Sequence, residues 1–301
     1  MPEIKKKSLL VLSAPSHIKT ADSVNKIMWT VAAVLMLMAA YSIYIFGYHS
    51  ALILLTCVFA GVSAEAAFQY FMKREIKVMN GSAVITGLLV GMNVPPNSPV
   101  WMPAIGTVFA VIIVKELFGG LGNNIFNPAL AAKAFMIASW PMYMATQQNT
   151  FLFEHDILKS LLIGNIGGCI GEVSALIIFI GGLVLIFRRI ITWHIPVSFI
   201  GTVAVTSYLY YYFLDFHMPG AAAMLHILSG AVFLGAFFMA TDLVTSPVSG
   251  IGKIIFGIGC GLLTFTIRVF GEYPEGVAFS ILIMNSVVPL IDRFVKPRVQ
   301  K

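Results

Sequence analysis

The stretch that decides the fold is Asn123-Asn124-Ile125-Phe126-Asn127-Pro128-Ala129-Leu130-Ala131-Ala132-Lys133, most of which falls within the apolar segment 124–142. Three asparagines, a proline and a lysine interrupt residues that otherwise suit a lipid bilayer. Proline frees backbone hydrogen-bonding groups that lipid cannot satisfy, so a broken helix in a membrane must face protein, cofactor or water. The stretch therefore predicts a membrane protein with an interrupted helix at an internal site.

The composition of the whole chain agrees with a membrane protein. Of its 301 residues, 58% are hydrophobic and 11% are charged, against about 45–50% and about 25% in soluble domains. Such a chain cannot cover its surface with polar groups. Lipid is therefore its solvent, and the net charge of +6 does not indicate a nucleic-acid partner. We expect Cys57, Cys169 and Cys260, which lie far apart in apolar stretches, to be buried.

Apolar segments along the chain predict an all-α integral membrane protein with about ten transmembrane helices. The segments are 27–46, 51–73, 79–94, 101–118, 124–142, 168–188, 194–214, 223–241, 251–270 and 274–293. They define a cytoplasmic N-terminal segment 1–26, a polytopic domain 27–293 with an outer loop near 143–160, and a cytoplasmic tail 294–301. With both termini inside, only Lys133, Lys159 and Arg268 depart from the cytoplasmic bias of Lys and Arg, and Lys115 counts as cytoplasmic.

A weak internal repeat indicates two related halves. A shift of 148 residues pairs Ala83 with Ala231, Gly87 with Gly235 and Pro99 with Pro247. Because this shift maps the third span onto the eighth, the two copies would be inverted, a design in which interrupted helices surround a central site. Chance similarity is the alternative, since identity elsewhere is thin.

Two charged residues lie deep in predicted spans, Glu65 in the second and Lys133 in the fifth. A charge at the centre of a membrane helix costs about 2.5–3.5 kcal/mol, so each needs a reason. One reason is a role in an ion or cofactor path. The other is a structural bond to a neighbouring helix or to a partner protein. Glu116 and Asp242 lie at segment ends, where the cost is lower.

Two strings carry a family resemblance: Gly119-Gly120-Leu121-Gly122-Asn123-Asn124-Ile125-Phe126-Asn127-Pro128-Ala129-Leu130 and Phe237-Phe238-Met239-Ala240-Thr241-Asp242-Leu243-Val244-Thr245-Ser246-Pro247. Together with 164–168 and 13–18, they resemble the RnfD/NqrB family. Its members are membrane subunits of the ion-translocating Rnf complex and of the Na⁺-pumping NADH:quinone reductase. The length and short N-terminus are more similar to RnfD.

This resemblance implies a subunit of an ion-translocating oxidoreductase in a bacterial or archaeal plasma membrane. Such a subunit carries electrons through bound flavin and couples ferredoxin:NAD⁺ oxidoreduction to Na⁺ or H⁺ movement. Its partners would be other membrane and peripheral subunits that bear flavins and iron–sulfur clusters. The alternatives are an NqrB-like subunit and a transporter or channel without a redox centre, because one fold can host unrelated functions.

The resemblance also implies where flavin binds. Family members hold FMN through a phosphoester to the last threonine of a Ser/Thr-Gly-Ala-Thr motif, and a non-covalent riboflavin also occurs. Here Thr150 follows Gln147-Gln148-Asn149, so the motif is divergent. Covalent FMN at Thr150, a non-covalent flavin and loss of this flavin all stay open, and Thr146 is a second acceptor candidate.

Three further residues are candidates for cofactor binding: Asn124, Asn127 and Asp242. The two amides, beside a helix break, suit the edge of a flavin ring or a cation. Asp242 stands among Thr241, Thr245 and Ser246, whose oxygens suit Na⁺. The alternative role for Asp242 is to cap the turn that follows it.

Overall fold

A computed structural model describes residues 23–145, 168–172, 174–216, 218–229, 231–271 and 276–295. Within these ranges the protein is helical and contains no strand. The helices are α1 Val24–Phe46, α2 Tyr48–Phe71, α3 Ser82–Met92, α4 Trp101–Phe109, α5 Pro128–Ser139, α6 Pro141–Met144, α7 Ala175–Phe187, α8 His194–Phe213, α9 Pro219–Leu228, α10 Val232–Leu234, α11 Gly250–Phe270 and α12 Val277–Phe294. Helix α4 continues as the π-helix Ala110–Glu116, and α10 continues as the π-helix Gly235–Met239.

The helices have the length and the surface of a membrane protein. Among the described residues, α1, α2, α11 and α12 are each long and apolar enough to cross a bilayer. Helix α9 and the segment Val232–Met239 form a fifth candidate, bent by 58°. Large side chains such as Leu37, Phe59 and Phe187 point outward with more than two thirds of their surface exposed, as lipid-facing residues do. The prediction of an all-α integral membrane protein is therefore confirmed.

The number of spans is a separate matter. Each of the ten predicted segments contains a helix. However, α3, α5 and α7 have only 11, 12 and 13 residues, whereas a straight crossing takes about 20. The count of ten crossings therefore stays a prediction. The segment 223–241 was expected to be one helix, but it is broken between Leu228 and Val232.

The order of helices repeats along the chain. A shift of 148 residues places α1, α2, α3, α4 and α5 on α7, α8, Val232–Met239, α11 and α12 respectively. Corresponding helices from the two halves meet, since α1 packs against α7 and α5 packs against α12. This order supports two related halves around a shared centre, while their inverted orientation stays a prediction.

Two glycines allow close approach where the site is built. A Cβ added at Gly87 would lie 2.7 Å from the carbonyl oxygen of Cys57, so α3 packs directly on the backbone of α2. A Cβ at Gly182 of α7 would collide with the ring of Phe237.

The three cysteines are buried, as expected.

Lys115 is a correction to the charge count, which included this residue of segment 101–118 among the cytoplasmic lysines. The structure places it in the π-helix Ala110–Glu116, where its side chain is 3% exposed and forms an ion pair with Glu65. Glu116, expected near the interface, is equally buried. A π-helix has more residues per turn than an α-helix, so the register shifts and both neighbouring side chains face inward.

The break between α9 and α10 has its own polar support. Arg268 of α11 donates from Nη1 to the carbonyl oxygen of His226 at 2.6 Å and from Nη2 to that of Ser229 at 3.1 Å. These carbonyls lie at the C-terminal end of α9, where intrahelical partners are missing. The guanidinium therefore satisfies backbone groups that lipid cannot.

Replacing Arg268 should destabilise this half of the protein. In Arg268→Met the two carbonyls lose their charged donor, and a buried polar group without a partner costs about 1–3 kcal/mol. We expect a clearly lower midpoint of thermal unfolding in detergent, followed by tryptophan fluorescence. The matched control is Arg293→Met, which removes an exposed arginine near the end of α12. Equal midpoints for both variants would contradict this role.

Candidate functional site

A pocket of about 100 Å³ lies between the two halves. The first half contributes Ser82, Thr86, Lys115, Asn124 and Asn127 to its wall, and the second contributes Phe237, Phe238, Thr241 and Asp242. The structure thus brings together Asn124, Asn127 and Asp242, three of the four predicted cofactor-binding residues. The fourth, Thr150, lies outside the described residues, as does Thr146.

The glycine-rich loop before Asn124 depends on left-handed backbone. Gly119, Gly120 and Gly122 have φ angles of 115°, 87° and 98°, a conformation that side chains disfavour. The amides of Gly119 and Gly120 donate to the carbonyls of Glu116 and Lys115 and so end the π-helix. The loop then brings Asn124 to the pocket, where its Nδ2 donates to the carbonyl oxygen of Phe126 at 3.1 Å.

Asn127 joins the two interrupted helices. Its Oδ1 accepts from the amides of Ala129 at 3.0 Å and Leu130 at 3.3 Å, which caps α5. Its Nδ2 donates to the carbonyl oxygen of Met239 at 3.1 Å. Met239 is the last residue of the second π-helix. One side chain therefore supplies partners to helix ends from both halves.

Asn285 completes this junction and was missed by the sequence reasoning. The side-chain amide of Asn285 is oriented to match its neighbours. Its Oδ1 accepts from the backbone amide of Asn127 at 3.1 Å, and its Nδ2 donates to the carbonyl oxygen of Thr245 at 3.2 Å. The signal was present, because Asn285 is an isolated amide in the apolar segment 274–293.

Asp242 lies just beyond the predicted span 223–241, in the turn after the second π-helix. Its Oδ2 accepts from Thr245 Oγ1 at 3.2 Å, and its Oδ1 accepts from the amide of Val244 at 3.5 Å. Desolvation raises the pKa of the Asp242 carboxyl, and hydrogen bonds from Val244, Thr245 and Asn124 act against that rise. Asp242 thus both supports its own turn and meets Asn124 of the other half.

A buried ionic network flanks the pocket. Lys115 Nζ lies 2.9 Å from Glu65 Oε2 and donates to Ser82 Oγ at 2.7 Å. Gln69 Nε2 donates to Glu65 Oε1 at 3.2 Å and to Glu116 Oε1 at 3.4 Å, so it links the two carboxylates. Glu65 is therefore bonded to a residue of a neighbouring helix, and that residue, Lys115, lines the pocket.

Lys133 takes part in a different polar group. Its Nζ donates to Asn93 Oδ1 at 3.2 Å and contacts Cys169 Sγ at 3.8 Å. Asn93 Nδ2 in turn donates to the carbonyl oxygen of Leu89 at 2.7 Å. Lys133 is thus held by side chains of neighbouring segments and is not part of the pocket wall.

Comparison with known proteins identifies the family. Residues 11–301 match the model of the NQR2, RnfD, RnfE family. The D-type subunit of the Na⁺-translocating ferredoxin:NAD⁺ oxidoreductase complex of Acetobacterium woodii is 42% identical, over 96% of this chain and 95% of that protein. Its counterpart in the proton-translocating ferredoxin:NAD⁺ oxidoreductase complex of Clostridium ljungdahlii is 37% identical, over 97% of this chain and 96% of that protein. The counterpart in an ion-translocating oxidoreductase complex of Stutzerimonas stutzeri is 36% identical, over 92% of each.

Two substitutions separate the roles of Asn127. Asn127→Ala removes both the cap and the donor to Met239, and loss of a cap costs about 0.5–2 kcal/mol. Asn127→Ser keeps a good cap residue, but its hydroxyl is too short to reach Met239. We expect faster hydrogen exchange in residues 128–134 only for the alanine variant, and in residues 235–242 for both. Wild-type exchange in 235–242 for both variants would show that Asn127 does not join the halves.

Proposed function

We propose that this chain, which belongs to the NQR2, RnfD, RnfE family, is the D-type membrane subunit of an Rnf-type ion-translocating oxidoreductase and carries electrons through flavin bound between its halves. The relatives that bear the D-type name support this role, because each match covers more than nine tenths of both chains. Their names include both Na⁺ and proton translocation, so the proposal admits either ion. The same names favour this complex over a Na⁺-pumping quinone reductase.

The single observation that carries the flavin site is the pocket between the interrupted helices. Phe237, Phe238 and aliphatic side chains form most of its wall, while Asn124, Asn127 and Asp242 add a few amide and carboxylate groups. A flavin ring has flat apolar faces and an edge with hydrogen-bond donors and acceptors, so this composition fits it. We propose that Asn124, Asn127 and Asp242 hold the edge of the ring.

The charges around the pocket favour riboflavin over FMN here. Among the described residues that line the pocket, Lys115 is the one cation, and Glu65 and Ser82 already bind its ammonium. A phosphate group would need unpaired cations or free helix amides, and Asn127 caps the amides at the start of α5. A flavin without phosphate avoids this requirement.

In such a site a bound flavin and the protein would have different roles. A bound flavin would supply one-electron and two-electron chemistry, and the protein supplies position, dielectric and exclusion of water. Apolar side chains of α1, α3 and α7 line the pocket. Asn124 and Asn127 would fix the orientation of the ring. Electrons would arrive from and leave to flavin-bearing and iron–sulfur-bearing partner proteins.

We propose a second flavin, FMN, on Thr150 in the outer loop 143–160. Support comes from the family resemblance, which implies an acceptor threonine in the outer loop after the fifth predicted span. At the start of the loop, Trp101 makes edge contacts with Trp140 and Tyr143 at ring-centroid distances of 5.3 Å and 6.2 Å. Such aromatic groups typically mark the membrane interface.

The riboflavin site is tested by two neighbouring asparagines. Asn124→Leu removes a polar group from the pocket wall, and a hydrogen bond contributes about 0.5–1.5 kcal/mol. We expect riboflavin affinity to fall by up to about tenfold, measured by quenching of riboflavin fluorescence on protein freed of flavin. Asn123→Leu is the matched control, because Asn123 is exposed and outside the pocket wall. Equal affinities for both variants, or no riboflavin binding by the wild type, would contradict the site.

The covalent site is tested by two threonines of the same loop. Thr150→Val removes the only atom that can form the phosphoester at that position, whereas Thr146→Val leaves it in place. Intact-mass spectrometry of protein made together with its flavin transferase should show an FMN adduct in the wild type and in Thr146→Val, and none in Thr150→Val. An adduct that persists in Thr150→Val would assign FMN to another residue.

A further inference from the structure

We propose that the buried Lys115 ammonium sets the reduction potential of the ring bound in the pocket, an inference that rests on the proposed riboflavin site. Neither the family match nor the names of the relatives assign a role to this residue. The observations that point to it are its place in the pocket wall, its two fixed partners and the direction of its ion pair.

The ion pair is oriented across the pocket wall. Lys115 and Ser82 both line the pocket, whereas Glu65 does not. The ammonium lies 2.9 Å from Glu65 Oε2 and 2.7 Å from Ser82 Oγ. The positive end of the pair therefore borders the pocket, and the negative end lies behind it in α2. Although the pair is neutral overall, its field inside the pocket is positive.

A second layer of hydrogen bonds holds the ammonium in place. Ser82 Oγ donates to Asn80 Oδ1 at 2.7 Å, which leaves its lone pairs for Lys115. Gln69 Nε2 donates to Glu65 Oε1 at 3.2 Å, which fixes the carboxylate. The π-helix sets the direction from which Lys115 enters. The charge is thus fixed before any ligand binds, and pre-organised charges need no reorganisation when the ligand changes its own charge.

Electrostatics then gives the sign of the effect. One electron taken up without a proton adds one negative charge inside the pocket. A buried cation stabilises that charge much more strongly than it would in water, because the local dielectric is low. Among the described residues of the wall, Asp242 of the second half is the other charged side chain. Its negative charge opposes the effect of Lys115. Lys115 should therefore make the bound ring easier to reduce.

Stability alone does not account for this pair. A buried ion pair often contributes no more to stability than apolar residues of similar size, because desolvation offsets the attraction. The Glu65 and Lys115 side chains are 1% and 3% exposed, so that penalty applies here. The electric field that the Glu65–Lys115 pair produces in the pocket gives these two buried charges a function.

The experiment measures the one-electron reduction potential of bound riboflavin by dye-mediated titration, with dithionite as reductant and visible spectra as readout. The variants are Lys115→Met, the double variant Lys115→Met with Glu65→Gln, and the charge-conserving Lys115→Arg. The double variant is needed because Lys115→Met alone leaves a buried carboxylate without its cation and can fail to fold. Arg293→Met controls for loss of a distant, exposed positive charge.

The expected result is a more negative potential in both variants that lack the cation. We expect the preference of the pocket for reduced over oxidised riboflavin to fall about tenfold, which equals about 59 mV for a one-electron couple. Lys115→Arg and Arg293→Met should keep the wild-type potential. An unchanged potential in a folded, riboflavin-loaded double variant overturns the inference but leaves the proposed function intact. A folded double variant that no longer binds riboflavin also overturns it, by making Lys115 a binding residue. A wild type that binds no riboflavin overturns both.

Discussion

The structure depends on one side chain that serves two broken helices. Asn127 accepts from two amides at the start of α5 and donates to the carbonyl oxygen of Met239, where the second π-helix ends. In lipid a helix end cannot leave its backbone groups without partners. The two interruptions can therefore exist in the interior because they satisfy each other, and the pocket lies where they meet.

The sequence allowed much of this to be predicted, because the signals are local. Asparagine before proline at Asn127-Pro128 is a strong signal for the start of a helix, and the helix begins at Pro128. The polar string 241–247, which supplied the candidate Asp242, is likewise outside any helix. Asn124, Asn127 and Asp242, which were named from these two local polar strings, share one pocket.

Other features could not be predicted, because they depend on contacts between distant segments. The positive-inside rule counts lysines near segment ends, so it assigned Lys115 to the cytoplasm. In the structure the π-helix and the ion pair with Glu65 place its side chain inside the protein. The break between Leu228 and Val232 has only the short pair Ser229-Gly230 as a local signal. It is supported by Arg268, which is 39 residues from Ser229. Asn285 was overlooked because a single amide in an apolar helix does not reveal its partner.

The central claim is that the interrupted helices of the two halves meet at Asn127 and Met239 and enclose a flavin. A cryo-electron microscopy map of the full-length protein in lipid nanodiscs with added riboflavin tests it most directly. We expect the Asn127 side chain within hydrogen-bond distance of the Met239 carbonyl, and density for a flat ring beside Asn124 and Asp242. A map in which the two helix ends are apart, or in which packed side chains fill the space between them, would contradict it.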